Sequence, residues 1–370
     1  MEKITTRIVL AGGGTGGHLY PALSVADELR RRHPAASISF VGTRRGLEQR
    51  LVPASGYTLR TLALSGLKGA SLAGKLRATL AAAWALARCV MWMTRERPDL
   101  VIGVGGYVSG PGVLAGRLLR VPTMIMEQNH FPGATNRWLA SRVDAVCVPS
   151  EAARRRLAGK TVVTGNPVRS AFFEIDERDD SRTVSVLVFG GSRGARSINR
   201  AACQALEVLG ALDPPPRLVH QTGSADEAQV RAAYGSYAGR HEVGAFFDDM
   251  PARVASADIV VSRAGASTIS ELCAAGRPAI LVPYPHAADD HQRHNAETLC
   301  EAGAAMLLPD DELNGTTLAA AVARLVDDPD RRREMARAAR SLAQPDAAGR
   351  IADVAEGLIG HRDDGGRGVS

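Results

Sequence analysis

Aromatic side chains supply only 4% of the 370 residues, and no stretch reaches the roughly 18 uninterrupted apolar residues of a bilayer-spanning helix. The best candidate, Thr79 to Met93, is short and carries Arg88. Cysteine is equally sparse. Cys89, Cys147, Cys203, Cys273 and Cys300 are odd in number, widely spaced and without a C-x-x-C pair, which excludes a disulfide framework and a zinc site. Met1 to Leu10 lacks the longer apolar region and small-residue cleavage site of a secretory signal. A cytoplasmic chain is therefore expected.

What is present is an ordinary globular balance, 45% hydrophobic and 23% charged, in a length that suggests about two domains. The net charge of +6 conceals an asymmetry: residues 1–170 hold 24 basic and 9 acidic side chains, residues 171–370 hold 21 and 30. The first half thus suits an anionic partner. Nucleic acid is not indicated, because no RNP, zinc-finger or helix-turn-helix signature accompanies the basic residues and they do not cluster with aromatics.

Periodicity organises the chain into strand–turn–helix units. Thr6 to Ala11 is a short β-branched run that enters glycines and then a helical pattern from Tyr20 to Arg32, and similar runs recur at Ile38–Val41, Leu100–Val104, Thr123–Met126 and Ala145–Val148. The pattern restarts at Thr183–Phe189, followed by a helix from about Arg196 to Leu209 and by strands at Leu218–Gln221, Asp258–Ser262 and Ala279–Pro283. Strands alternating with helices predict α/β architecture: two doubly wound, Rossmann-like domains with parallel sheets facing across a cleft. Pro167 and the charged run at 174–180 make Asn166 to Asp180 read as a hinge and linker. The expected domains are 1–166 and 167–345, then a helix at 346–360 packing back on the first domain and a disordered tail at 361–370. Ligands of such sheets bind beyond the carboxyl ends of the strands.

Two of those ends are glycine loops. Gly12 to His18 (GGGTGGH) contains a formal G-x-G-x-x-G, but a dinucleotide site needs an acid about 20 residues on, and the second strand ends Gly42-Thr43-Arg44-Arg45. Arg44 and Arg45 would suit only a 2′-phosphate. A plain tight turn remains the alternative, although the loop is barer than a turn requires, and bare backbone allows close ligand approach. Gly190 to Ala195 (GGSRGA) puts backbone N–H groups and the Ser192 hydroxyl at a helix start, which makes a phosphate cradle. No Gly-Lys-Ser/Thr follows either loop, so a P-loop kinase or ATPase is excluded.

The ordered set GGGTGGH at 12–18, GVGGYVSGP at 103–111, EQN at 127–129, GNPVR at 165–169, GGSRGA at 190–195, SRAGASTISE at 262–271 and DHQRHNA at 290–296 resembles the MurG family. Its members are peptidoglycan N-acetylglucosaminyltransferases of the GT-B fold that convert lipid I to lipid II. The resemblance runs from about Ile8 to Ala305. It implies an N-terminal acceptor domain and a C-terminal UDP-GlcNAc domain. Glu271, about one turn into a helix starting near Ser267, would take the ribose hydroxyls, as a carboxylate can. Ser192 would hold the α-phosphate, Arg169 would face the nucleotide, and the Phe247 backbone would contact the uracil. Gln292 and His291, with Asn129 from the other domain, would bind sugar hydroxyls. Thr15, Gly16, Gly17 and the segment Ala266, Ser267, Thr268, Ile269, Ser270 complete the implied donor site, and Gly14, Tyr107 and Ser109 the acceptor loops. His286 and His291 depart from the glutamines that are frequent there.

For the reaction, the resemblance implies a single inverting displacement that gives a β-1,4 product. His18 is the base candidate, as a near-neutral titratable group on the first loop, and Glu127 competes as base or as the residue that orients one. No Asp-x-Asp metal clamp flanks either loop, Asp248-Asp249 and Asp289-Asp290 reading as helix-start carboxylates. No cofactor or metal is expected, the helix start with Ser192 neutralising the leaving diphosphate. Lipid I is membrane-anchored, so a peripheral position on the cytoplasmic face of the membrane is implied, with other cell-wall synthesis and division proteins as candidate partners. Leu72, Leu76, Leu80 and Trp84 form one helical stripe flanked by Lys68, Lys75 and Arg77. It reads either as a core face or as a membrane patch.

Overall fold

The computed structural model describes residues 5–44, 46–64, 72–176, 183–191, 194–287 and 290–365. Its chain divides into two compact units, residues 1–168 with 346–370, and residues 169–345. In the first, strands β1 (Arg7–Gly12), β2 (Ser37–Thr43), β3 (Thr58–Leu62), β4 (Leu100–Gly105), β5 (Thr123–Met126), β6 (Ala145–Val148) and β7 (Thr161–Val163) form one sheet in the order 3-2-1-4-5-6-7. In the second, β8 (Ser185–Phe189), β9 (Arg217–Gln221), β10 (His241–Gly244), β11 (Ile259–Ser262), β12 (Ala279–Leu281) and β13 (Ala305–Leu307) repeat the scheme as 10-9-8-11-12-13. Among the described residues every strand pairing is parallel, for example Ile8 beside Ile38 and Leu100, and Val186 beside Leu218 and Ile259.

The nine strands predicted from the sequence all exist, two of them, at 123–126 and 145–148, with the expected ends. The four that were not predicted, β3, β7, β10 and β13, are the edge strands of the two sheets. Central strands of a parallel sheet are covered on both faces and read as continuous apolar runs, whereas β3 (TLRTL) and β10 (HEVG) are half-exposed and mixed in character. The order reverses between β1 and β4, and again between β8 and β11. Those reversals place the loops after these four strands where ligands of such sheets bind.

The Ala347–Gly365 helix belongs to the first unit. Ile351, Ala352 and Ala355 are fully buried with Ile8, Leu10, Leu19 and Leu29. Arg32 holds it from outside through Asp353 at 2.6 Å and Glu356 at 3.2 Å. It runs to Gly365, so the expected tail from 361 is shorter than the composition suggested, and residues 366–370 lie outside the described residues. The expected linker is likewise packed in its first part. Phe172 and Ile175 are buried, and Arg340 and Arg277 donate to the carbonyls of Ile175 and Asp176 at 2.6 and 2.9 Å.

Candidate active site

In the first unit the site is built on two glycine turns. The helix after β1 spans Gly16–Arg32, four residues earlier than the sequence suggested, because Thr15 in extended conformation caps it and Pro21 is accommodated inside. His18 is therefore not on a loop but is the third helical residue. Its ring occupies the space a side chain at Gly105 would need: a Cβ there, at φ +97, would stand 2.5 Å from His18 Cδ2. The turns after β1 and β4 thus interlock through the imidazole. Thr15 Oγ1 lies 3.2 Å from His18 Nδ1. Burial lowers the pKa of His18, and the Glu127 charge pulls it back up in part.

Glu127, 4% exposed, leaves β5 with both oxygens committed. Oε1 accepts from the backbone and side-chain nitrogens of Asn129, each at 2.9 Å, and Oε2 from Gly133 N at 3.0 Å and Asn136 Nδ2 at 2.9 Å. Asn129 thus spends one of its two side-chain N–H donors on the carboxylate. Tyr107 is 44% exposed, and Gly14 and Gly16 partly so, whereas Thr15 and Gly17 are open to solvent. Ser109 is different from what the sequence suggested for an acceptor loop. It starts the Ser109–Leu118 helix fully buried, packed toward Gly103.

The stripe of the first unit divides too. On the Leu72–Glu96 helix the core face is Ala85, Cys89 and Met93, and Leu80 and Trp84 stand 62% and 47% exposed. For these two the core-facing alternative is excluded. Lys68 and the side chains of Leu72, Lys75 and Leu76 lie outside the described residues. Beside the stripe, Arg44, Arg60, Arg88 and Arg95 line a cavity of about 370 Å³ together with Trp92 and Met91, and Arg60 is ion-paired with Glu96.

In the second unit the helix after β11 spans Ala266–Ala275, with Ile269 buried and Ala266, Ser267, Thr268, Ser270 and Glu271 partly exposed. Arg169 Nη2 donates to Glu271 Oε1 at 2.7 Å, so the two residues expected to meet the nucleotide separately meet each other. Burial pushes the Glu271 pKa up, against the Arg169 charge. Phe247 N donates to Gln221 Oε1 at 2.8 Å, and Gln221 Nε2 donates to Gly191 O at 3.2 Å, tying the turn after β10 to the glycine turn after β8. Ser192 lies outside the described residues. Past it, the Arg196–Gly210 helix begins at Ala195, which offers no side-chain cap, so its first amides suit an anion. Gln292 Oε1 accepts from Tyr284 N at 2.9 Å, and His291 opens the same helix.

Sequence reasoning missed the residues that hold these turns. Gln221 is one, and the group Arg263, Asp310 and Ser197 is another, with contacts of 2.5, 2.8 and 2.6 Å binding the start of the Arg196–Gly210 helix to β11. A polar residue at the end of an apolar strand, such as Gln221, is the signal that was available. Among the described residues no cluster of His, Cys, Asp or Glu is suited to a metal, and no helix is long and apolar enough to cross a membrane.

Residues 8–148 match the glycosyltransferase family 28 N-terminal domain, and residues 185–351 its C-terminal domain. Over 359 residues the chain is 44% identical to the UDP-N-acetylglucosamine–N-acetylmuramyl-(pentapeptide) pyrophosphoryl-undecaprenol N-acetylglucosamine transferase of Anaeromyxobacter sp. (strain K), across 96% of this chain and 94% of that protein. Identity to the protein of the same name from Myxococcus xanthus (strain DK1622) is 43%, across 95% and 93%. The crystal structure of Acinetobacter baumannii MurG matches with a TM-score of 0.72 and 31% identity, over 94% of this chain and 98% of that one. A putative UDP-N-acetylglucosamine 2-epimerase of Listeria monocytogenes reaches a TM-score of 0.70 over 94% and 95%, at 18% identity, which is a likeness of fold alone.

Proposed function

The chain belongs to the MurG family of N-acetylglucosaminyltransferases, and from that premise we propose a metal-free inverting transfer of GlcNAc from UDP-GlcNAc to the C4 hydroxyl of MurNAc in lipid I. The observation that carries the mechanism is the placement of the His18 imidazole, locked between two glycine turns with the Glu127 charge nearby. A neutral imidazole is the form that accepts a proton. His18 takes the proton of the acceptor hydroxyl as that oxygen bonds to the anomeric carbon. The bond from that carbon to the diphosphate oxygen breaks on the opposite face, and its electron pair leaves with UDP. The β-1,4 linkage follows from one inversion of an α-linked donor.

Glu127 orients rather than abstracts, because four N–H donors already occupy its oxygens and its charge favours the imidazolium formed during transfer. In the second unit the uncapped amides at the start of the Arg196–Gly210 helix, with Ser192, take the diphosphate charge. Glu271 turns from Arg169 to the ribose hydroxyls, and the Phe247 carbonyl meets the uracil. Gln292 and His291 take sugar hydroxyls.

The test is transfer of labelled GlcNAc to a short-chain lipid I analogue in EDTA, with UDP-GlcNAc hydrolysis as control. EDTA-resistant transfer giving a β-1,4 linkage is expected. Tight UDP binding without transfer would move the activity to another acceptor, and loss of transfer in EDTA would end the metal-free mechanism.

The first unit would approach lipid I by resting on the cytoplasmic face of the membrane. Exposed Leu80 and Trp84 next to the cavity lined by Arg44, Arg88 and Arg95, with Arg60 paired to Glu96, support this, each unpaired basic group near an anionic surface contributing about 1 kcal/mol. Replacing both by glutamate should abolish sedimentation with phosphatidylglycerol vesicles while transfer to a water-soluble acceptor continues. Unchanged sedimentation would remove this face from the membrane.

A further inference from the structure

Glu48 takes no part in the chemistry above, yet its surroundings are shaped to hold it. It is the first residue of the Glu48–Ala54 helix and is 1% exposed. Oε1 accepts from Thr43 N and Thr43 Oγ1, both at 2.7 Å, and Oε2 from Gly14 N at 2.9 Å. Three glycines make room for it. A Cβ on Gly13 would stand 3.0 Å from Glu48 Cδ, one on Gly42 would stand 2.6 Å from Cγ, and one on Gly46 would overlap the carboxylate. Burial opposes the charge, but the Thr43 side chain and the backbone amides of Thr43, Glu48 and Gly14 hold its pKa below the usual carboxylate value.

The acid that a dinucleotide-binding domain places after its second strand faces a ribose. Here the acid after β2 turns inward, and its oxygens are taken by backbone and hydroxyl donors. One of those donors, Gly14, adjoins Thr15, which caps the helix carrying His18 and touches its ring.

We propose that Glu48 is a positioning residue for the transfer: by fixing the Gly14 amide it sets the Gly12–Gly17 turn, and through Thr15 the placement of the His18 imidazole. This rests on the reading of His18 as the base.

Glu48→Gln tests it, because a carboxamide has one acceptor oxygen and must turn its NH2 toward the Gly14 or Thr43 donors. Four quantities are read: hydrogen exchange of amides 12–18 in the free enzyme, kcat, UDP affinity and thermal stability. Exchange should quicken and kcat should fall about tenfold to a hundredfold, the scale of a small misplacement of a reacting group. UDP affinity should stay as in the wild type. In the His18→Ala background Glu48→Gln should cost no further kcat. Gly46→Ala, which displaces the carboxylate without altering its charge, should reproduce the pattern.

Unchanged exchange and kcat would overturn the proposal, as would a loss of stability with kcat intact. A kcat loss that adds in full to that of His18→Ala would place the effect elsewhere and overturn it too. Faster exchange in Glu48→Gln, together with full activity in His18→Ala, would overturn the base assignment and support the anchoring of the turn.

Discussion

The two units carry the same device, a glycine turn after the first central strand followed by a helix, and use it for different work. In the first unit the third helical residue is His18, facing the turn after β4; in the second it is Ile198, fully buried in the core. The first turn is held by a carboxylate, Glu48, and carries a titratable ring packed against Gly105. The second is held by the charged group Arg263, Asp310 and Ser197 and by Asn199, whose Nδ2 donates to Thr222 O at 2.9 Å and to Asp226 Oδ2 at 2.8 Å and whose Oδ1 meets His220 Nε2 at 3.0 Å. On the proposed reading, one topology serves proton transfer in the first unit and anion binding in the second, according to which side chain is the third of the helix.

The largest expected break in this comparison is His18→Ala. Turnover should fall by about 10²–10⁴-fold, the usual contribution of a general base, while UDP affinity measured by calorimetry stays level. A parallel loss of UDP affinity would mean that the units do not divide the labour in this way. Glu271→Ala should do the reverse, raising the KM for UDP-GlcNAc on the order of tenfold or more through lost charge-assisted hydrogen bonds, with a smaller change in kcat. Unchanged KM would detach Glu271 from the donor.

The smallest effect is on stability alone. His220 is buried against Tyr234 and Asn199, and burial takes its pKa from 6.5 to about 3. Because the folded value is the lower, the unfolded chain takes the proton first as pH falls. The stabilisation is therefore complete above about pH 6.5 and drains away toward pH 3, on the order of several kcal/mol in all. His220→Leu should lower the melting temperature most near neutral pH, and the gap to wild type should narrow by about pH 5. A gap independent of pH would show that the network does not titrate.

How much of this was legible follows from burial. The central strands advertise themselves because both faces are covered, so β5 and β6 appear in the sequence with their true ends. The edge strands do not, since a half-exposed strand such as β10 needs only one buried side chain, Val243. The glycine turns and the helix of Glu271 were visible as motifs. The anchors beneath them were not, because Glu48 lies 34 residues from the amide it holds and Gln221 lies 26 from Phe247.

By itself the sequence determined the doubly wound architecture, the two glycine turns, the charge asymmetry and the family, all of which rest on local pattern and ordered motifs. The tertiary structure alone decided that His18 sits inside a helix start rather than on a loop, and that Ser109 is interior. It also decided that Leu80 and Trp84 face outward and that Arg169 and Glu271 pair. Each of these depends on which face of an element meets its neighbours, and a period of three to four residues specifies a stripe without saying what will cover it.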